Sequence, residues 1–329
     1  MSKKPRFTPS ARSGPRLVAI LIFPELQLLD AAGPVAAFEI AERYQPGSYA
    51  LRIVSSAGGV TRSSSGVGMP SEPLRALKLA NVDTLIAIGG QGTAQAMQDA
   101  ALIGLLKRAS GKVRRIASVC SGAFLLAQAG LLDGKRATTH WRQAPVMAKM
   151  FPGVQVEPDC IHVKEDDVWT SAGVTAGIDL ALAMIGEDLG EDVATNVARE
   201  MVVYAKRPGG QAQHSALLDL DAQTDRFAKL NAWIRDHLSE DLSVERLAQQ
   251  AAMSPRNFAR AYAAETGVTP AKAVERLRLE AARAALERGA SIQEIARRVG
   301  FDDPERMRRA FVRYYGAPPA AMRRTLRRA

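Results

Sequence analysis

Cysteine and histidine are scarce in this chain: Cys120 and Cys160 are its two cysteines, and it has 4 histidines among 329 residues. Two cysteines cannot form the disulfide framework of a small secreted domain, and no Cys/His cluster has the spacing of a zinc site. Long apolar runs are also missing, because the longest extends only from Leu17 to Phe23, while a bilayer span needs about 20 residues. We therefore expect a protein of the reducing cytoplasm that has no metal site, no cofactor and no membrane-spanning segment.

Positive charge is concentrated toward the C-terminal end. The chain has 44 Lys and Arg against 34 Asp and Glu, and residues 221–329 alone hold 21 basic and 14 acidic residues. Most of the net charge of +10 therefore lies in the last third of the chain. A basic segment of this kind indicates a polyanionic partner and favours nucleic acid over membrane.

The first two thirds of the chain alternate apolar runs with helical patterns. Strands are predicted for six stretches: 16–23, 51–58, 83–90, 114–122, 154–158 and 161–173. Helices are predicted for five others: 30–44, 93–109, 122–129, 175–189 and 192–204. Alternation of this kind is typical of a doubly wound, flavodoxin-like α/β domain with a mostly parallel sheet. We place this domain at 16–205, after a flexible basic tail at 1–15.

A stretch rich in Gly, Gln and polar residues at 206–225 predicts a linker, and residues 226–329 are wholly helical in pattern. This last segment contains an internal repeat, because 243–253 matches 291–301 at an offset of 48. After a one-residue insertion the match continues at an offset of 49, pairing Phe258 with Met307 and Tyr262 with Phe311. Each repeat consists of a short helix, a turn and a second helix that opens with proline, which predicts two helix-turn-helix units.

The second helix of each repeat has an apolar face and a basic face. In the first repeat Phe258, Ala261 and Tyr262 recur at helical spacing and must face the core. The residues predicted to face outward and contact DNA in the two repeats are Arg256, Asn257, Arg260, Arg306 and Arg309. Arginine suits guanine and asparagine suits adenine, although both also bind phosphate.

With these features the segment 226–329 resembles the DNA-binding domain of the AraC/XylS family, down to the closing FVRYYGAPPAAMRR. The resemblance implies a reader of double-stranded promoter DNA whose two recognition helices enter successive major grooves.

A cysteine in the first domain lies where a strand passes into a helix. Cys120, in RRIASVCSGAFLLAQAG, occupies such a turn, and helix N-terminal amides can lower the pKa of a thiol. Asp30 follows the first strand, and Gly89 and Gly90 follow another. Because the carboxyl ends of parallel strands meet at one crevice, we expect these four residues to lie together. His140, in TTHW, is a further candidate.

The motifs FP(x)₅D(x)₂GP, IGGQG, CSGAFLLA, TTHW and TSAGVTAGIDLAL resemble the PfpI-like, class I glutamine-amidotransferase-like domain, in the form found fused to an AraC-type domain. In catalytic relatives the elbow cysteine is the nucleophile, and an acidic residue at the position of Asp30 bonds to it. Some relatives have His directly after the cysteine, where this chain has Ser121. The resemblance therefore leaves three roles open for Cys120: a ligand-pocket residue, a nucleophile, or a structural or oxidation-prone thiol.

The sequence thus predicts a transcriptional regulator, not an enzyme, that senses a small nitrogen-containing metabolite and binds promoter DNA. The candidate ligand-binding residues are Asp30, Gly89, Gly90, Cys120, Ser121 and His140. The resemblance implies homodimerisation through the α/β domain and effectors that are amino-acid-derived or quaternary-amine compounds. The alternative is a cysteine-dependent enzyme, isonitrile-hydratase-like or hydrolytic, with an autoregulatory DNA-binding domain.

Overall fold

The computed structural model describes residues 14–203, 206–207, 209–210, 213, 225–287, 290–315 and 318–328. The chain divides into an N-terminal unit that ends at Gln213 and a C-terminal unit that begins at His214. The predicted tail at 1–15 and linker at 206–225 lie largely outside the described residues, so their boundaries stay predictions. No helix within the described ranges is long and apolar enough to span a membrane.

The N-terminal unit alternates strands and helices. Its strands are β1 (Arg16–Leu21), β2 (Tyr49–Ser55), β3 (Gly59–Arg62), β4 (Gly68–Pro73), β5 (Val82–Ala87), β6 (Arg115–Val119), β7 (Arg136–Ala137), β8 (Gln155–Val156), β9 (His162–Glu165) and β10 (Val168–Ser171). Its helices are α1 (Leu28–Tyr44), α2 (Thr93–Ala96), α3 (Ala100–Ala109), α4 (Gly122–Gln128), α5 (Ala144–Met150), α6 (Ala176–Leu189) and α7 (Glu191–Glu200).

Eight strands form one sheet in the order β3-β4-β2-β1-β5-β6-β10-β9. The six inner strands are parallel, and the two edge strands β3 and β9 pair antiparallel with their neighbours. In β1 and the residues just after it, Ala19, Leu21 and Phe23 face one buried layer, while Val18 and Ile20 face the other. Both faces of the sheet are therefore covered, as the continuous apolar runs of the sequence predicted.

Three predicted elements of the N-terminal unit were wrong in detail, and one hairpin was missed. The strand predicted at 161–173 is two antiparallel strands, β9 and β10. The helix predicted at 93–109 is two helices, because Asp99 stops the first and caps α3 by accepting the N–H groups of Ala101 and Leu102. The stretch 154–158 yields the short β8, which pairs with β7 in a separate sheet and not in the main one. The hairpin β3–β4 was missed because its Gly, Pro and Ser content is typical of turns.

The regular elements within the described residues of the C-terminal unit are all helices. Its helices are α8 (Asp225–Asp236), α9 (Val244–Gln250), α10 (Pro255–Thr266), α11 (Pro270–Glu287), α12 (Ile292–Arg298), α13 (Pro304–Tyr315) and α14 (Pro319–Arg328). Helices α9 and α10 form the first repeat, and α12 and α13 form the second. Each repeat has its own apolar core, and α11 contributes Leu277 to the first core and Leu279 to the second.

Candidate functional site

The candidate ligand site lies at the carboxyl ends of four adjacent strands, β1, β5, β6 and β10. Glu25, Cys120 and Val174 follow three of these strands, and each has a positive φ, of 61°, 58° and 51° respectively. Left-handed backbone costs a residue with a Cβ atom on the order of 1–3 kcal/mol, and such strain concentrates at functional sites. Of the six non-glycine residues with positive φ in the described part of the chain, three therefore lie at this edge of the sheet.

Cys120 stands on the tight turn between β6 and α4. Its N–H donates to the carbonyl of Ser171 at 3.0 Å, which fixes the turn to the neighbouring strand. Two glycines make room for it, because a Cβ atom at Gly173 would lie 2.2 Å from the Cys120 Cβ and one at Gly89 would lie 2.8 Å from it. The sequence-predicted proximity of Gly89 and Cys120 is therefore present in the fold.

Asp30 lies on the first turn of α1 and is completely buried. Its Oδ1 accepts the N–H of Val174 at 2.6 Å, while Oδ2 receives no hydrogen bond of good geometry. Burial raises the pKa of Asp30 to about 6, although hydrogen bonds from Val174, the Cys120 thiol and Gly89 act in the opposite direction. These three donors are uncharged, and burial outweighs them.

The thiol of Cys120 is half-buried beside this carboxyl group. Burial, followed by the negative charge of Asp30, raises the pKa of Cys120 to about 12. The thiol is therefore protonated at neutral pH, whereas a nucleophilic cysteine needs a lowered pKa. The helix N-terminus does not overcome these two effects, contrary to the lowered pKa that the sequence pattern suggested.

Ser121 belongs to a closed ring of hydrogen bonds that holds the glycine turn after β5. The N–H of Gly90 donates to Ser121 Oγ at 3.0 Å, and Thr93 Oγ1 donates to the carbonyl of Gly90 at 2.7 Å. The hydroxyl groups of Ser121 and Thr93 lie 2.7 Å apart, and either can donate to the other, while Ser121 Oγ also lies 3.3 Å from the Gly90 carbonyl oxygen. Ser121 thus binds the 90–93 turn and offers Cys120 no base.

His140 lies in the loop after β7, where its ring stacks on Trp141 with a centroid distance of 5.7 Å. Its Nδ1 accepts the N–H of Arg142 at 3.3 Å. The preceding residue, Thr139, is the one whose hydroxyl reaches the elbow, donating to the carbonyl of Cys120 at 2.9 Å. The TTHW motif thus lies at the site, with the threonine in contact with the cysteine backbone.

The candidate DNA interface consists of the outer faces of α10 and α13. In α10, Phe258 and Tyr262 are completely buried while Arg256, Asn257 and Arg260 are exposed. The α10 face follows the predicted division between core and groove.

The second recognition helix has the same two faces. In α13, Met307 and Phe311 are buried, and Arg306 and Arg309 are exposed. Arg308 pairs with Glu305 at 2.6 Å on the same helix, which leaves Arg306 and Arg309 as the outward arginines that the sequence favoured. Whether these side chains contact bases stays a prediction.

Sequence reasoning missed several residues that shape the ligand site: Thr93, Thr139, Val174, Arg207 and Gln213. Thr93 directly follows IGGQG and Thr139 is the second threonine of TTHW, so both could have been included with these motifs. Val174 acts through its backbone, and Arg207 and Gln213 come from the segment predicted as a linker. No pattern in the sequence indicates the contacts of these last three.

Metal binding has no support in the described part of the chain. Within it, no three His, Cys, Asp or Glu side chains cluster closely enough to hold an ion.

Comparison with protein-family models finds two matches. Residues 16–187 match the DJ-1/PfpI family, and residues 247–325 match a helix-turn-helix domain of the AraC type. The first match spans more than half of the chain.

Two curated relatives bear on function. The HTH-type transcriptional regulator CdhR of Pseudomonas aeruginosa is 26% identical over 309 residues, covering 93% of this chain and 91% of the relative. Isonitrile hydratase of Pseudomonas putida is 30% identical over 192 residues, but covers only 58% of this chain and 79% of the enzyme. The relative that extends over both domains is therefore a regulator, and the enzyme matches over a much shorter part.

A solved structure supports the fold of the N-terminal unit. A ThiJ/PfpI family protein from Pseudomonas syringae superposes with a TM-score of 0.53 and 26% identity, covering 63% of this chain and 84% of that protein. The family matches and the curated relatives favour the regulator over the enzyme alternative. The chain belongs to the DJ-1/PfpI family, and it is a DNA-binding transcriptional regulator that joins a PfpI-like domain to an AraC-type helix-turn-helix domain.

Proposed function

We propose that this regulator responds to a small cationic nitrogen compound that binds over Cys120, above the buried carboxylate of Asp30. The observation that carries the proposal is the charge of Asp30. Its pKa of about 6 leaves it mostly ionised at neutral pH, and the groups that lower this pKa are uncharged hydrogen-bond donors. A cation near this charge would regain electrostatic energy that burial costs the carboxylate.

The glycine turns pack tightly against the elbow. Gly89 and Gly173 approach Cys120 so closely that no side chain fits between them and the elbow. Asp30 is completely buried whereas Cys120 is half-buried, so the ligand contacts the thiol side and senses the carboxylate through the electrostatic field. A protonated thiol is compatible with a binding role and unsuited to a nucleophilic one.

The chain that leaves the α/β core supplies a route from this site toward the DNA-binding unit. Arg207 donates from its backbone and its guanidinium to the buried carboxylate of Asp179, at 2.6 to 2.9 Å, and also to Thr175 Oγ1 at 2.9 Å. Thr175 directly follows Val174, whose N–H binds Asp30. A ligand that moves Asp30 therefore acts on the turn that anchors Arg207.

A second anchor lies at the end of the N-terminal unit. Gln213 Nε2 donates to the carbonyls of Thr139 at 2.8 Å and Pro158 at 2.9 Å, and its Oε1 accepts the N–H of Trp141 at 2.8 Å. Thr139 in turn binds the backbone of Cys120. We propose that ligand binding shifts these two anchors and so changes how the protein engages DNA.

We also propose that the residues that contact DNA are Arg256, Asn257, Arg260, Arg306 and Arg309, and that the protein works in the cytoplasm as a homodimer joined through the N-terminal unit.

The hairpin β3–β4 at the sheet edge offers an apolar contact for this dimer, since Val60 and Val67 are 69% and 51% exposed. A Val60→Glu variant is expected to become monomeric in light scattering. An unchanged mass would contradict a dimer contact at this hairpin.

The proposed ligand class is tested by calorimetric titration of the full-length protein with matched compounds. Small primary ammonium and guanidinium compounds, a quaternary ammonium compound, a neutral amide and a carboxylate form the panel. We expect one of the cations to bind, and Asp30→Asn to weaken it by about tenfold or more, because the field of a buried charge is lost. Equal binding of the neutral amide, or unchanged affinity in the variant, would refute the proposal.

A further inference from the structure

Arg278 lies on α11, the helix that links the two repeats, and its side chain contacts the segment that precedes the first repeat. Its Nε donates to the carbonyl of Leu238 at 3.0 Å, and its Nη2 donates to the carbonyl of Glu240 at 2.9 Å. Both carbonyls belong to the segment between α8 and α9, and Leu238 packs against the core of the first repeat. The side chain therefore clamps this segment to the linking helix.

The same spot is contacted by the turn of the second repeat. Gly300, between α12 and α13, has φ +77°, and a Cβ atom there would lie 2.1 Å from the Leu238 carbonyl oxygen and 2.7 Å from Arg278 Nη2. The backbone of the second repeat thus lies directly against the clamped segment of the first. Leu238, Arg278 and Gly300 form what we call the inter-repeat junction.

The internal repeat shows that this glycine is there for contact and not only for backbone conformation. At the offset of 48, Gly300 corresponds to Ala252 in the first repeat, which has φ +52°. The left-handed turn therefore accepts a Cβ atom in the first repeat. What differs at Gly300 is the carbonyl of Leu238, which leaves no room for one.

Charged groups from both repeats surround Arg278. Asp241, before α9, and Asp302, before α13, favour its charged form, whereas Arg306 on the recognition helix opposes it. Burial has the largest influence and lowers the pKa of the guanidinium. Arg278 is thus placed between acidic residues of both repeats and within electrostatic reach of a candidate DNA-contacting residue.

We infer that Arg278 and Gly300 are positioning residues that fix the distance and rotation between the two recognition helices, and thereby the spacing of the two half-sites that the protein accepts on DNA. Leu277 packs in the core of the first repeat and Leu279 in the core of the second. Helix α11, which carries both residues, joins the two repeats along the chain. A single helix can bend and twist, and a second contact at the junction restrains both motions. Recognition helices that enter successive major grooves must lie about 34 Å apart, or about 10 base pairs.

The test has two steps. The full-length protein first selects binding sites from random DNA. Its affinity is then measured for the selected site and for sites with one base pair inserted or removed between the two motifs. The wild type is expected to select two motifs at one spacing of about 10 base pairs and to bind the altered sites about tenfold more weakly, as for the loss of one base contact. Arg278→Ala and Gly300→Ala should accept the altered spacings within about twofold of the selected one. Ala252→Gly, the matched change in the other repeat, should keep the wild-type preference.

Circular dichroism and non-specific DNA binding report whether each variant is folded. Arg278→Lys keeps the charge but cannot bridge both carbonyls, so its preference for the selected spacing should fall between that of the wild type and that of Arg278→Ala. If the alanine variant is unfolded, the lysine variant replaces it in the comparison. Folded variants that retain the wild-type spacing preference would overturn the inference. A uniform loss of affinity at every spacing would also overturn it, because it would show a structural role without a positioning one.

Discussion

The buried carboxyl group of Asp30 should make the N-terminal unit less stable as the pH rises, and Asp30→Asn should remove this effect. The pKa of Asp30 is raised from 3.8 to about 6 in the folded protein. Between these two values the folded state still holds a proton that the unfolded state has released, so folding stability falls as the pH rises through this window. Above pH 6 the full cost is present, and the two pKa values give it as about 3 kcal/mol.

Asparagine does not titrate, so the variant lacks this loss. Its amide group still accepts the N–H of Val174 at the position of Oδ1, while its NH₂ group takes the place of an oxygen that has no well-formed hydrogen bond. An unsatisfied NH₂ costs about 1–3 kcal/mol at every pH. The diagnostic quantity is therefore the change with pH: relative to wild type, the variant should gain about 3 kcal/mol between pH 3.5 and pH 7.5.

The assay is urea unfolding at a series of pH values, followed by hydrogen exchange on peptides from β6 and α6, which report the N-terminal unit alone. Glu42→Gln provides a control of opposite sign. The N–H groups of Tyr49 and Gly47 bind Glu42 at 2.7 and 2.6 Å and lower its pKa, so its contribution is lost as the pH falls. A difference between Asp30→Asn and wild type that stays constant across this pH range would refute the account of Asp30.

Three further predictions separate the proposed roles. Cys120→Ser should leave folding and DNA affinity intact while shifting the affinity for the cationic ligand in calorimetry; loss of DNA binding by the folded variant would contradict a pocket role. Arg256→Ala and Arg306→Ala should each cost about 1–3 kcal/mol at the selected site and relax the preference at one base position, and equal loss on random DNA would show phosphate contact instead. Arg207→Ala should keep ligand affinity but reduce the ligand-induced change in DNA affinity. Lys206→Ala removes an exposed ion pair with Glu191 and should leave that ligand-induced change as in the wild type. Identical behaviour of the two variants would refute transmission through Arg207.

The order of strands and helices and the two helix-turn-helix repeats could be predicted from the sequence, because they depend on local patterns. Short continuous apolar runs predict β1 and its parallel neighbours. The spacing of Phe258 and Tyr262 places Arg256 and Arg260 on the outer face of α10. The same reasoning brought Asp30, Gly89 and Cys120 to one crevice, since parallel strands end at the same edge.

Only the tertiary structure decided the electrostatic state of the crevice. The helix N-terminus at Cys120 suggested a lowered thiol pKa, but burial and the charge of Asp30 outweigh it, and burial is a property of every element packed around the site. The anchors of Arg207 and the clamp of Arg278 were equally out of reach of sequence reasoning. These contacts join residues 28 and 40 positions apart, and no local periodicity reports which distant carbonyl or carboxylate a long basic side chain will meet.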